Sequence, residues 1–236
     1  MIRHWRLIGI LGLVALLSGC VTTGLSVRES AQANYSSYLY ALYDEHFSGK
    51  EIQEAKGQPR QVRPLARLAV AQIGEVAPPH AMLEALARER ELFADVQGIP
   101  AARDAAASGN ASGETIRRQI SQMRRFAADL GMDYLFLFGG TIDLGETATG
   151  ATILDWTLVG AYVVPTHKVH AIGRASGALV DISTGQVMLV VTAEDELRTY
   201  ETTVARNFGT SDHYLTQVRQ QLIPKLTAAL IERARQ

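Results

Sequence analysis

The first twenty residues constrain this chain more than any other stretch. Met1 to Arg6 carries Arg3 and Arg6 and no acid, and Leu7 to Leu17 is then one apolar run. A basic start followed by a short apolar core is the pattern of a secretory signal peptide. Eleven apolar residues coiled as a helix span only about 16 Å, against roughly 30 Å of hydrocarbon. The run is too short for a membrane-spanning anchor. Cys20, the one cysteine of the chain, follows directly on Ser18 and Gly19. A single cysteine allows no internal disulfide and no cysteine-based zinc site. The rest of the chain therefore has to be held by an ordinary apolar core.

No Ala-x-Ala site for ordinary signal cleavage stands at the end of the run. Leu17-Ser18-Gly19-Cys20 instead resembles a bacterial lipobox, an apolar residue and two small ones ahead of a cysteine. The resemblance implies that the Cys20 thiol receives a diacylglycerol, that residues 1–19 are cut away, and that the new amine takes a fatty acyl chain such as palmitate. Several acyl chains, at about 0.8 kcal/mol per buried methylene, make a stable anchor where one chain is marginal. Residue 21 is Val, not the Asp that resembles an inner-membrane retention signal. The expected address is thus the bacterial outer membrane, facing the periplasm.

Charge narrows the partners. The chain has 23 Lys and Arg against 24 Asp and Glu, and removing residues 1–19 takes away two arginines and no acid, a net of −3. A nucleic-acid binder carries a strongly basic domain, so no nucleic-acid partner is expected. With 47% hydrophobic and 20% charged residues, the composition is that of a globular domain.

Organisation follows from periodicity. Val21 to Asn34 is polar and without period, and reads as a tether that extends to at most about 50 Å. Tyr35 to Phe47 holds Tyr35, Tyr38, Tyr40 and Tyr43; the spacing of Leu39, Leu42, Tyr43 and Phe47 suggests a short amphipathic helix. Ser48 to Pro64 reads as a linker. Residues 20–64 thus form a lipidated N-terminus, and residues 65–236 the body. Within it, Arg67 to Gly74 reads as a strand. Pro78-Pro79 opens a helix with Met82, Leu83, Leu86 and Phe93 on one face. Val96 to Ile99 is a second short strand, and Arg103 to Gly113 a loop. Ile116, Ile120, Met123, Ala127 and Leu130 form the buried stripe of a helix opened by Glu114 and capped by Gly131. Asp133 to Phe138 is a core strand, Thr152 to Val164 another, and Val169 to Ile182 pairs through a turn at Ser183–Gln186 with Val187 to Thr192. Arg198 to Thr210 shows no clear pattern. Ser211 or Asp212 caps a last helix, which Pro224 should kink. The order β-α-β-α-β-β-β-β-α predicts an α+β fold, a single two-layer domain with a mixed sheet packed by helices.

Two further resemblances follow. Leu130-Gly-Met-Asp-Tyr-Leu135 and Gly177-Ala-Leu-Val-Asp-Ile-Ser-Thr-Gly-Gln186 resemble periplasmic α/β domains of the curli-secretion-lipoprotein and TolB-N-terminal kind. Asp155-Trp-Thr-Leu-Val-Gly-Ala-Tyr-Val-Val-Pro165, with the lipobox and Ser36–Tyr40, resembles the bacterial rhombotarget lipoprotein family. That resemblance implies a link to rhomboid-type intramembrane proteases and supplies no catalytic residues.

No P-loop, Gly-x-Ser-x-Gly elbow or His-Glu-x-x-His motif is present. His167 and His170, three apart, would point to opposite faces of a strand, so they read as exposed turn histidines and no metal is assigned. His213 reads as a residue of a helix start. Glu194, Asp195 and Glu196 cannot all face one ion from a strand and read as a solvated strand end. Gly139-Gly140 lacks a dinucleotide fingerprint and reads as flexible backbone at a sheet edge. Arg117 with Arg124, and Arg118 with Arg125, are seven apart on one helix. They form a basic stripe that could engage an anionic partner, or an ordinary solvated face.

The expected function is non-enzymatic: a membrane-anchored envelope binding or assembly factor, held by lipid on Cys20, with an envelope protein as partner and no cofactor. The alternative is a homo-oligomeric secretion or pore component like the curli-secretion lipoprotein. It requires strands alternating between lipid and lumen, and in Thr152 to Val164 the alternation is lost after Leu158. An envelope hydrolase is the least favoured reading.

Overall fold

The computed structural model describes residues 27–28, 61–101, 113–148, 162, 164–202 and 211–236. Cys20 with its preceding residues, the tyrosine segment at 35–47 and most of the stretch at 152–164 lie outside the described residues.

The elements run β1 (Val27–Arg28), β2 (Ala66–Gln72), α1 (His80–Arg88), β3 (Phe93–Gly98), α2 (Gly113–Asp129), β4 (Tyr134–Ala148), β5 (His167–Asp181), β6 (Val187–Glu201) and α3 (Ser211–Ala234). They build one mixed sheet in the order β3-β2-β4-β5-β6, with β1 paired to β4. β2 is parallel to both β3 and β4, and β4, β5 and β6 are antiparallel. The α+β class and the mixed sheet packed by helices are as the sequence implies, with the helices on both faces of the sheet and not on one.

Alternation along β4 divides the core. Tyr134, Phe136 and Phe138 point to the face covered by α1 and α3, where they meet Met82, Leu86, Leu222, Leu226 and Leu230. Leu135 and Leu137 point to the other face and pack with Ile116, Ile120, Met123 and Ala127 of α2. Phe136 and Phe138 stack with ring centroids 5.7 Å apart, each worth about 1.5–3 kcal/mol on burial. α2 ends as its glycine foretells. Gly131 has φ 70, its N–H donates to the Ala128 carbonyl at 2.8 Å, and the Met132 N–H donates to Ala127 at 3.0 Å. That pair of bonds satisfies the last open carbonyls of the helix.

Several elements differ from the sequence reading. β4 does not stop at Phe138; it runs to Ala148, in register with β5 back to His167. Gly139-Gly140 therefore lies inside a central strand. A Cβ on Gly140 would come 2.7 Å from the Arg174 carbonyl oxygen, so the glycine serves close strand packing and not an edge. β6 likewise runs through Glu194-Asp195-Glu196 to Glu201, which makes the three acids mid-strand. Of Thr152 to Val164, Tyr162 is helical and Val164 lies in a bend, so neither extends a strand. Phe93 opens β3 instead of closing the face of α1, because that helix ends at Arg88. Pro224 sits inside α3 without ending it.

The N-terminal tether is also shorter than its polarity suggests. Val27 pairs with Leu144 and Arg28 with Asp143, antiparallel to β4. This pairing continues beyond β2 along the same side of β4, whose backbone groups would otherwise stay open there.

The upper halves of β4, β5 and β6 form a ribbon that projects beyond β2 and β3. One face of it packs on the first turns of α3 through Ile142, Leu144, Val169, Ala171 and Val218. The other face is polar.

Candidate functional site

The far end of the ribbon concentrates the ionisable groups. Glu146, His167 and Glu201 stand on adjacent strands, with His167 opposite Glu201, on the face that α3 covers. His167 Nδ1 lies 3.2 Å from Glu146 Oε1. His167 and Glu201 are both buried, at 7% and 6% exposure. Tyr214, in the first turn of α3, hydrogen-bonds Glu201, while Glu201 Oε1 is buried with no hydrogen-bond partner among the described residues. Burial first, and then the neighbouring Glu201 carboxylate, push the Tyr214 hydroxyl up to about 12. His213 beside it is exposed, with its ring edge-on to Tyr214.

The sign of that shift gives a prediction. A tyrosine whose folded value exceeds its unfolded one adds no pH dependence below about pH 10. From 10 to about 12 the unfolded chain gives up the proton more readily, so stability falls as pH rises. Thermal melts of the wild type should decline more steeply across this window than those of Tyr214→Phe. Parallel slopes would show that Tyr214 ionises freely in the fold.

The opposite face carries a lattice of ion pairs. His170 Nε2 and Arg198 Nε both contact Glu196 Oε1, while Arg174 reaches Glu194 at 3.2 Å and Asp143 at 3.7 Å. Hydrogen bonds from Arg198 and then His170 hold the Glu196 carboxyl below its ordinary value. These exposed pairs fix strand register more than they stabilise the fold. The histidines are thus strand residues on opposite faces, not turn residues. His170 is half-exposed in the lattice and His167 is buried beneath α3. Asp195 turns away from Glu194 and Glu196 and meets Lys225 of α3 at 2.5 Å. The three acids divide between two faces, as strand alternation requires. Among the described residues, no group of three or more His, Cys, Asp or Glu is placed to hold a metal ion.

The arginines of α2 also divide. Arg118 makes an exposed pair with Glu114 at 3.3 Å, and Arg117 and Arg125 are exposed. Arg124 instead reaches the β5–β6 turn, where its Nη2 donates to the Ile182 carbonyl at 2.8 Å. Its guanidinium covers Gly185, which has φ 78 and would place a Cβ 2.6 Å from Nη1. The same turn is pinned from below. Ser183 Oγ and the Thr184 N–H donate to Asp181 Oδ1 at 2.5 and 2.9 Å. Burial alone would raise Asp181, but these bonds outweigh it and hold the carboxyl below its ordinary value. Arg124→Gln should therefore lower stability by about 1.5 kcal/mol, the worth of a charged hydrogen bond. Arg118→Gln and Arg125→Gln should stay within about 0.5 kcal/mol. Equal effects in urea melts would contradict a turn-clamping role.

A bacterial lipoprotein family, described as YafT, matches residues 40–233. The chain belongs to the YafT bacterial lipoprotein family. The rhombotarget resemblance is matched at this coarser level, as a bacterial lipoprotein. No curated protein matches this YafT-family chain. Among solved structures it is similar to the PelC dodecamer from Paraburkholderia phytofirmans, at 14% identity and TM-score 0.31, covering 88% of this chain and 97% of that one. It is also similar to lipoprotein GNA1162 from Neisseria meningitidis, at 12% identity and TM-score 0.29, covering 65% of this chain and 99% of that one.

The matched region begins after Cys20, so the lipobox resemblance of Leu17, Ser18, Gly19 and Cys20 is independent of the family match. Sequence reasoning missed Glu146, Glu201 and Tyr214. Glu146 and Glu201 lie at the far ends of strands whose length the sequence underestimates, and Tyr214, in a helix that the sequence does place, gives no local sign of its partner on β6.

Proposed function

We propose that this protein is a non-enzymatic, lipid-anchored bacterial lipoprotein of the outer membrane that faces the periplasm and binds or helps assemble an envelope partner. The observation that carries the reading is the match to a bacterial lipoprotein family over residues 40–233, joined to a lone cysteine behind a short apolar leader. The lipid on Cys20 is the membrane contact. The rhombotarget resemblance adds a rhomboid-type protease to the partners worth testing. Crosslinking in intact cells of tagged wild type and Cys20→Ala, with products identified by mass spectrometry, tests it. A specific envelope partner that is lost with the anchor supports an adaptor. Unchanged products in Cys20→Ala would contradict it.

A second reading, a homo-oligomer, is favoured by the edges of the sheet. Among the described residues no strand pairs with the outer side of β6 or of β3. An open edge at each end of a sheet permits head-to-tail pairing between copies. A fixed self-crosslinked ladder in cells, with a matching mass in mild detergent, would support this reading, and a monomer would oppose it.

A further inference from the structure

The register of β1 says which end of the domain meets the membrane. Val27 pairs with Leu144 and Arg28 with Asp143, antiparallel, so β1 begins on the side of the Ala148 end of β4. Cys20 is seven residues from Val27, a reach of at most about 24 Å even fully extended. The tip of the ribbon, at Ala148, is four residues above Leu144, about 14 Å at strand rise. The opposite end of β4, at Tyr134, is ten residues below Leu144, about 34 Å away. A lipid on Cys20 can therefore pass the tip by about 10 Å, and it cannot reach the bottom of the sheet.

The side chains at the tip suit a lipid surface. Tyr200, near the end of β6, is 61% exposed, and Tyr162, which is 62% exposed, is five residues from His167 at the tip and so within about 17 Å of it. Lys168 lies opposite Tyr200 in the register of β5 and β6, on the face that α3 leaves open. Tyrosines settle at the headgroup level of bilayers, and a lysine stem can lie along apolar surface with its ammonium in water. The exposed apolar residues Leu65 and Leu130 are at the bottom, outside the reach of the anchor.

We propose that the tip of the β4–β5–β6 ribbon is a membrane-contact surface, with Tyr162, Lys168 and Tyr200 resting in the headgroup layer to which Cys20 is tied. This rests on the lipid-anchor reading. It sets the ribbon upright on the membrane, with α1, α2 and the bottom of the sheet turned toward the periplasm.

The test uses the full chain purified from membranes and placed in vesicles of phosphatidylethanolamine and phosphatidylglycerol that carry a lipid brominated near its headgroup. In a Trp156→Phe background, Tyr200→Trp, Tyr162→Trp and Leu65→Trp each give one indole once residues 1–19 are gone. Either tyrosine-site probe should lose roughly half its emission, as an indole lying about 5–10 Å into the headgroup boundary would, while the Leu65 probe should lose none. Tyr162 stands outside the strands, so its probe leaves the sheet intact if Tyr200→Trp disturbs it. Vesicle flotation of wild type and Cys20→Ala runs alongside. If the wild type floats while both tyrosine-site probes keep full emission, or the Leu65 probe is quenched as strongly, the contact surface is overturned and the anchor stands. If the wild type floats no better than Cys20→Ala, both fall together.

Discussion

Gly177→Ala should lower the stability of the domain by about 3 kcal/mol, at the upper end of what overpacking does. A Cβ there would lie 2.3 Å from Phe136 Cζ, 2.5 Å from Cε2 and 3.0 Å from Phe138 Cβ. None of these atoms has room to retreat. Phe136 is fully buried, and it stacks on Phe138 at 5.7 Å with the ring planes 15° apart. The two rings lie under α3, so a displaced Phe136 would press on Leu222 and Leu226. Urea melts should show the loss as a lower midpoint with unchanged slope, and thermal melts as a drop of roughly 10 °C. A control isolates the cause. Phe136→Leu shortens the offending ring, so combining it with Gly177→Ala should cost at least about 1 kcal/mol less than the two single changes added together. Strict additivity would mean that Gly177 matters for some reason other than this contact.

The second large effect concerns the ion pair under α3. The Asp195 side chain is 8% exposed and its partner Lys225 is 53% exposed, with Nζ and Oδ1 2.5 Å apart. Removing the lysine leaves a carboxylate in the interface between β6 and α3. Lys225→Met should therefore destabilise by about 2 kcal/mol, below the 3–5 kcal/mol of a fully buried pair because water still reaches one partner. Replacing both residues, as Asp195→Leu with Lys225→Met, should return stability to within about 1 kcal/mol of the wild type. A double variant as unstable as Lys225→Met alone would show that the pair does more than neutralise a buried charge.

Both predictions depend on features that the sequence only half reveals. The helix α2 and its glycine cap are legible, because a stripe at 3.6-residue period and a left-handed C-terminal glycine are local signals. The turn at Ser183–Gln186 is legible for the same reason. The length of β4 and β6 is not. Beyond Phe138 and Thr192 the strands lose their apolar run, because one face of the ribbon is open to water and carries Thr141, Asp143, Glu194, Glu196 and Arg198. What holds that half of the sheet is cross-strand pairing and α3, both set by residues far away in sequence. In the sequence Asp195 looks like one of three solvated acids, since its partner Lys225 is thirty residues on. The basic stripe on α2 follows from spacing alone, and spacing cannot show that Arg124 has the Ile182 carbonyl to bind. The cluster of Glu146, His167, Glu201 and Tyr214 comes from four elements and leaves no local pattern. The β1 pairing is two residues long, too short for any period.

The proposed function and the proposed membrane contact of the ribbon tip both require a lipid on Cys20. Intact-mass and peptide mass spectrometry of the protein extracted from cell envelopes tests this most directly. The expected species is a chain that begins at Cys20, carries a diacylglyceryl thioether and an acylated amine, and is missing from the Cys20→Ala strain. A chain that begins at Met1, or a mature chain with a free Cys20 thiol, would contradict it.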